Sequence, residues 1–374
     1  MDATSENRQI VVIKPVSSQT GLLVLAIVIS TFVAACGGGG GGSSQTSSPS
    51  LWVANRASST VASFSAAARK HSGTPSATRT NLSQSLFEPE GVVFDKQNNM
   101  WISNCSGSDD QQGSVAKFSA GQVAKLERHP LPEPAVELLD DGNSDVFSCP
   151  YGLQFDHAGN LWVTNRFALD LVAFDPTQLK QTGAHLPRTQ ISSGVFGDPV
   201  DILFDKSGSL WIADTSSSIV YAYKKQSLDA ALGFTNIIDP DIVIGPNGMN
   251  GSDAIAFDRD GNLWVANCSL NNLVKFNAAD LAASGSPTPA VTISATVVET
   301  ATGSTLSLDC PEGLSFDAQG SLWASNAISD NFGSLAKFTS SQLAADGMPA
   351  PAVFLDSDST GANLRQPVLI TFNP

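Results

Sequence analysis

The stretch DHAGNLWVTNR, Asp156–Arg166, holds a turn, an alternating apolar strand and a polar break. It returns as DKSGSLWIADT from Asp205, DRDGNLWVANC from Asp258 and DAQGSLWASNA from Asp317, and in worn form as DKQNNMWISNC from Asp95. LWVANRASS, from Leu51, is the back half alone. Each full copy follows a second β-rich run: PEGVVFD at Pro89, PYGLQFD at Pro150, PVDILFD at Pro199, SDAIAFD at Ser252 and PEGLSFD at Pro311. Two such runs at a constant offset, joined by D-x-x-G, predict a hairpin whose glycine takes positive φ. In the first copy Asn98, the next most tolerant residue, holds that place. A third run follows each time (GSVAKF, DLVAF, SIVYAY, NNLVKF, GSLAKF) and then a looser fourth, such as AVELL. Each unit therefore reads as a four-stranded antiparallel sheet.

Trp-to-Trp steps of 49, 61, 49, 53 and 59 residues match the blade of a β-propeller rather than a helical solenoid. The ends complete the count. QPVLITFNP near the C-terminus matches the first run, with Phe372 in the Phe place, and the tryptophan it lacks is Trp52. The expectation is an all-β, six-bladed propeller over 51–374, closed by an inner strand at 367–373 joining the N-terminal blade at 51–65. Closure removes the exposed sheet edges. A tryptophan that recurs in every blade is read as inter-blade packing.

On these motifs the chain resembles the NHL-repeat and gluconolactonase/regucalcin-like six-bladed propellers. Its P-x-G and G-N-L-W strands are also similar to those of streptogramin lyase. The resemblance covers essentially all of 51–374 and implies architecture more than activity, because one fold hosts enzymes, receptors and scaffolds.

Residues 1–50 read as targeting. Arg8 and Lys14 precede the apolar run GLLVLAIVISTFVAAC, which is short for a membrane span and ends in small residues. VAAC resembles the bacterial lipobox, with Val33 in place of the usual Leu, and makes Cys36 the expected lipidation site. The alternative is an ordinary signal peptide or a single-span anchor. Six glycines and SSQTSSPS follow, a composition that serves as a flexible tether over 37–50. The expected protein is exported and lipid-anchored at the bacterial cell envelope, facing the periplasm or the cell surface, and monomeric. A net charge of −15 argues against nucleic acid as a partner.

The x of P-x-G and the residue ending the next strand are expected at one mouth of the central tunnel. Glu90, Asp253 and Glu312 occupy x positions, and their oxygen ligands would suit Ca2+ or Mg2+. The gluconolactonase-like relatives hold a metal at this mouth with acidic and Asn side chains. Asn104, Tyr151, Asn165, Asp201, Asp214, Asn267 and Asn326 are the expected ligand-binding set. The competing reading makes the strand-end Asn and Asp side chains turn caps. No histidine matches the acid–base histidine of the lyases.

Beyond Cys36, the cysteines fall at two repeated places: after the second strand (Cys105, Cys268) and just before the next first strand (Cys149, Cys310). Four cysteines allow three connectivities, and the repeat symmetry favours 105–149 with 268–310. An exported compartment permits the bonds. Two functions follow as expectations. One is a top face that binds a protein, glycan or small ligand. The other is a metal-dependent hydrolase or lyase of lactonase type.

Overall fold

The computed structural model describes residues 49–105, 113–127, 129–130, 132–140, 146–301, 303–329, 332–357 and 364–373. The expected signal segment 1–36, its lipidation site Cys36 and most of the tether 37–50 lie outside the described residues. From residue 49 the chain forms six sheets in a ring, the six-bladed propeller expected. Counting from the N-terminus, the inner strands are Pro367–Phe372 for blade 1, Pro89–Phe94, Pro150–Phe155, Pro199–Phe204, Ser252–Phe257 and Pro311–Phe316. Blade 1 is shared between the ends: Leu51 pairs with Phe372 and Val53 with Ile370.

The recurrent phrase folds as an inner hairpin for a local reason. In Asp156–Asn160 the aspartate Oδ1 accepts the N–H of Asn160 while Gly159 takes φ 89°. Asn98 takes φ 61° in the same place. In four blades the other carboxylate oxygen accepts the indole N–H of the blade's own tryptophan, as Asp205 does from Trp211 at 2.9 Å and Asp95 from Trp101 at 3.1 Å, whereas the buried indole N–H groups of Trp52 and Trp264 find no partner among the described residues. The Asp-to-Trp spacing lets one carboxylate close the turn and, in those four blades, satisfy a buried indole as well.

The seven-residue Phe-to-Trp spacing acts between blades. Five of the six tryptophans meet the phenylalanine of the next blade, with centroids at 5.6 Å for Trp52–Phe94, 5.8 Å for Trp101–Phe155 and 5.7 Å for Trp211–Phe257. At the closure Arg69 stacks over both Trp323 and Phe372. The tryptophans pack the blades together and are buried, as expected from their recurrence.

Two features were not legible as blade strands. Gly183–Ala184 adds in parallel to Val136–Leu139 of blade 2, and Thr235–Ile237 adds to Thr189–Ser192 of blade 3. Single parallel bridges at Gly73–Leu355, Ile244–Gly285 and Ile293–Gly347 repeat the arrangement. Each comes from the following blade's loop and covers an outer sheet edge that would otherwise template aggregation. A two-stranded hairpin, Val297–Thr300 with Gly303–Leu306, is inserted between blades 5 and 6. Among the described residues no helix is long and apolar enough to cross a membrane.

Candidate functional site

The strand registers define two ends of the ring. One carries the D-x-x-G turns. The other, the mouth, carries the starts of the inner strands and the ends of the second strands, with Pro89 opposite Asn104 and Pro311 opposite Asn326. The register slips just after the inner-strand start in blades 2 to 6, between Pro89 and Gly91 in blade 2 and between Ser252 and Ala254 in blade 5. Such a bulge re-aims one side chain, and the residue aimed is the x of P-x-G. Gly91, Gly152 and Gly313 follow it because a Cβ there would collide with the neighbouring inner strand, at 2.5 Å from the Tyr151 carbonyl oxygen in the case of Gly91. A hydroxyl from the second strand crosses at the same point: Ser103 donates to the Tyr151 carbonyl and Thr164 to that of Val200.

Glu90 and Glu312 meet at the mouth, and a residue absent from the expected set lies between them. Arg56 donates from Nε to both Glu90 oxygens, at 2.7 and 3.0 Å, and from Nη2 to the Tyr151 hydroxyl at 2.6 Å and Glu312 Oε2 at 3.0 Å. Tyr151 Oη also donates to Glu312 Oε2 at 3.3 Å. Glu90 is 2 % exposed. Burial pushes it up to about 7 against the pull of the guanidinium. Burial opposes the Arg56 charge, but Tyr151, Glu90 and Glu312 outweigh it and hold the guanidinium above its ordinary value.

Asp253 stands apart from that pair. Its Oδ1 accepts the Thr215 hydroxyl at 2.7 Å, and burial together with the Glu312 charge raises it to about 7. Among the described residues one group offers three ligand atoms within 4.8 Å of one another, Asp253 with Cys268 and Cys310. Those two sulfurs are joined as a disulfide and so present no thiolates to a metal. Glu90, Asp253 and Glu312 do not form such a group, and the charge between two of them is an arginine.

A rule links these contacts. The residue after each strand-end Asn or Asp donates its N–H to the carbonyl that precedes the blade's own inner strand: Arg56 to Gln366, Cys105 to Glu88, Arg166 to Cys149, Thr215 to Asp198, Cys268 to Gly251 and Ala327 to Cys310. That clamp aims its side chain at the next blade. The results are the Arg56–Glu90 ion pair, the Cys105–Cys149 disulfide, the bidentate Arg166–Asp198 pair at 2.6 and 2.8 Å, the Thr215–Asp253 hydrogen bond and the Cys268–Cys310 disulfide. Both disulfides are those expected from the repeat symmetry. Ala327, which brings only a methyl group, makes no polar tie at the closure. Arg56 and Arg166 were visible in the repeats, as WVANR and WVTNR, but their role depends on which blade lies alongside.

The strand-end side chains turn into the loops rather than the tunnel. Asn104 Nδ2 donates to the Ser85 carbonyl and Ser114, Asn165 to the Val146 carbonyl and Asp170, Asn267 to the Gly248 carbonyl and Asn272, and Asn326 to the Ser307 carbonyl and Ser334. Asp214 accepts the N–H groups of Gly197, Asp198 and Ser217. Asp201 accepts N–H groups from Ile202 and, across the blade boundary, Ile255; burial nonetheless raises it to about 7. Tyr151 is the member of the expected ligand set that reaches the mouth, its ring flanked by Arg56 and Arg166. The tunnel below is narrow, a cavity of about 50 Å³ lined by residues such as Val92, Leu153 and Ile255. Larger cavities, of about 390 and 670 Å³, lie between blades at the D-x-x-G end.

No protein-family model matches the chain, and no curated protein matches it. Solved structures do match. A protein of unknown function from Bacteroides caccae aligns with a TM-score of 0.58 at 10% identity, over 87% of this chain and 99% of that one. A nidogen/laminin complex aligns at 0.56, 10% identity, 87% and 98% coverage. A putative 6-phosphogluconolactonase from Bacteroides uniformis aligns at 0.54, 11% identity, 87% and 100% coverage. The shared property is the propeller fold.

Proposed function

We propose that this protein is a recognition module, held at the cell envelope through a lipid on Cys36, whose mouth end binds a partner. The observation that carries the reading is the ring of ties. Groups that would serve a metal-dependent hydrolase as ligands or bases are bound within the chain, Glu90 and Glu312 by Arg56 and Asp198 by Arg166. A pre-formed guanidinium supplies the positive charge that a divalent cation would otherwise bring. Two disulfides and two ion pairs hold neighbouring blades in register at that end, and a surface fixed before binding loses little entropy on binding. Similar propellers occur in a nidogen/laminin complex and in a putative 6-phosphogluconolactonase, so the fold alone does not choose between recognition and catalysis.

Calorimetric titration of the full chain with calcium and magnesium, beside a lactone and ester panel with and without chelator, tests the reading. The expected result is no turnover and no metal heat. Chelator-sensitive hydrolysis that Glu312→Gln abolishes would replace recognition with lactonase-type catalysis.

A further inference from the structure

The two ends of the ring differ sharply in charge. Every lysine of the propeller, from Lys70 to Lys337, lies on a D-x-x-G turn, on the loop between third and outer strands, or on the third-strand end beside it. At the mouth end the cations are Arg56, Arg166 and Arg365, among the described residues, and the first two are bound to carboxylates. Exposed or half-buried acids stand there without lysines, including Glu88, Glu299 and Asp309. At the centre four carboxylates, Glu90, Asp198, Asp253 and Glu312, face two guanidiniums. Asp253 receives only a hydroxyl where Glu90 and Asp198 receive an arginine.

The same end exposes large apolar side chains. Phe167 is 64 % exposed and lies against the Arg166 guanidinium, which in turn covers Tyr151. Leu270, 45 % exposed, sits on the turn that begins at Cys268, beside Asp253. Phe332 and Phe87 are each about half exposed at the same end. Apolar side chains set among acids that outnumber the cations of the same end mark a contact surface whose partner carries the opposite charge. The chain enters the propeller at Leu51, at the lysine-bearing end.

We infer that the mouth end docks a basic, amphipathic polypeptide segment, whose lysine or arginine side chains pair with Asp253 and the surrounding acids and whose apolar side chains pack on Phe167 and Leu270. This rests on the recognition reading and names its partner class. A lipid surface fits less well, because anionic headgroups would be repelled by this end.

The test uses the full chain and a fluorescent peptide of about twelve residues alternating lysine with leucine, read by anisotropy at low and physiological salt. A lysine/serine peptide, a glutamate/leucine peptide and anionic vesicles serve as comparators. Expected is binding at least about tenfold tighter for lysine/leucine than for lysine/serine, weakened by salt. Phe167→Ser with Leu270→Ser should weaken it about fivefold or more, as should Asp253→Asn, while Lys96→Ser with Lys206→Ser at the other end changes nothing. Should Asp253→Asn fail to fold, the surface pair Phe167→Ser and Leu270→Ser carries the test alone. Equal binding of the lysine/serine peptide, indifference to the Phe167 and Leu270 changes, or preference for anionic vesicles overturns the inference. No peptide binding together with no turnover on the lactone panel removes this partner class and leaves recognition standing, whereas chelator-sensitive turnover removes the recognition reading itself.

Discussion

Arg56→Met deletes the guanidinium between Glu90 and Glu312 and keeps most of its apolar stem. Three hydrogen bonds to carboxylates and one to Tyr151 disappear. Breaking a buried ion pair by removing one partner costs about 3–5 kcal/mol when the other charge stays buried and ionised. Glu90 is buried enough for that figure to apply, and it has a way out: its carboxyl already titrates near 7, and loss of the guanidinium raises it further. The penalty should therefore be full well above pH 7 and fade as the pH falls towards the ordinary glutamate range, where Glu90 is neutral in folded and unfolded chains alike. For a domain of this length an unfolding entropy of about 2 cal/mol/K per residue makes 3–5 kcal/mol a shift of roughly 4–8 °C. Thermal unfolding followed by circular dichroism at pH 5 and pH 8.5 reads the difference. Arg56→Met with Glu90→Gln should recover most of the loss at pH 8.5, because the fully buried carboxylate is then gone and the one left without its arginine, Glu312, is less buried and keeps the Tyr151 hydroxyl. An equal loss at both pH values, or no recovery in the double variant, would refute the buried ion-pair reasoning.

The unmodified protein should show a related trend. Glu90, Asp201 and Asp253 all have folded-state pKa values raised to about 7, so the native state holds protons that the unfolded chain releases, and stability falls as pH rises from about 4 to about 7; a melting temperature that rises over that window would contradict it. The two disulfides close loops with separations of 44 and 42 residues, each worth about 4 kcal/mol in the chain-entropy view, and serine replacement of either pair should lower the melting temperature by several degrees, with non-reducing peptide mapping of the unmodified protein showing these two links. Deleting residues 366–374 removes the inner strand of blade 1 and bares an edge along Leu51–Asn55, so aggregation or severe destabilisation is expected in place of normal melting. Cys36→Ala should release the protein from membranes or block its processing, and unchanged membrane fractionation with a normal mature mass would count against lipidation.

The architecture was legible because propeller repeats write local physics many times over. One Asp closes a turn and in four blades caps an indole, one Phe and one Trp meet across five of the six blade boundaries, and the misplaced half-repeat at Leu51 announces the closure. The disulfides were legible for the same reason: two cysteine positions, each used twice at like separations of 44 and 42 residues, favour the pairing found over the other two. The chemistry of the mouth was legible only in part. Position in the repeat marked Glu90, Asp253, Glu312 and Tyr151 as residues aimed at the axis. The carboxylate repulsion there was also foreseeable, yet its resolution by Arg56 joins residues 34 and 256 apart in the chain, and nothing local marks an arginine after a strand end as the neighbour of a glutamate one blade on. The strand-end asparagines read as ligands or as turn caps, and the structure makes them loop staples, each amide shared between a loop carbonyl and a side chain at the start of the third strand, a pairing that only the fold brings together. The parallel edge strips were hidden too, since they pair through backbone alone. Sequence by itself determined what each blade repeats; the closed ring decided which groups from different blades meet, and therefore which charges are satisfied within the chain and which remain for a partner.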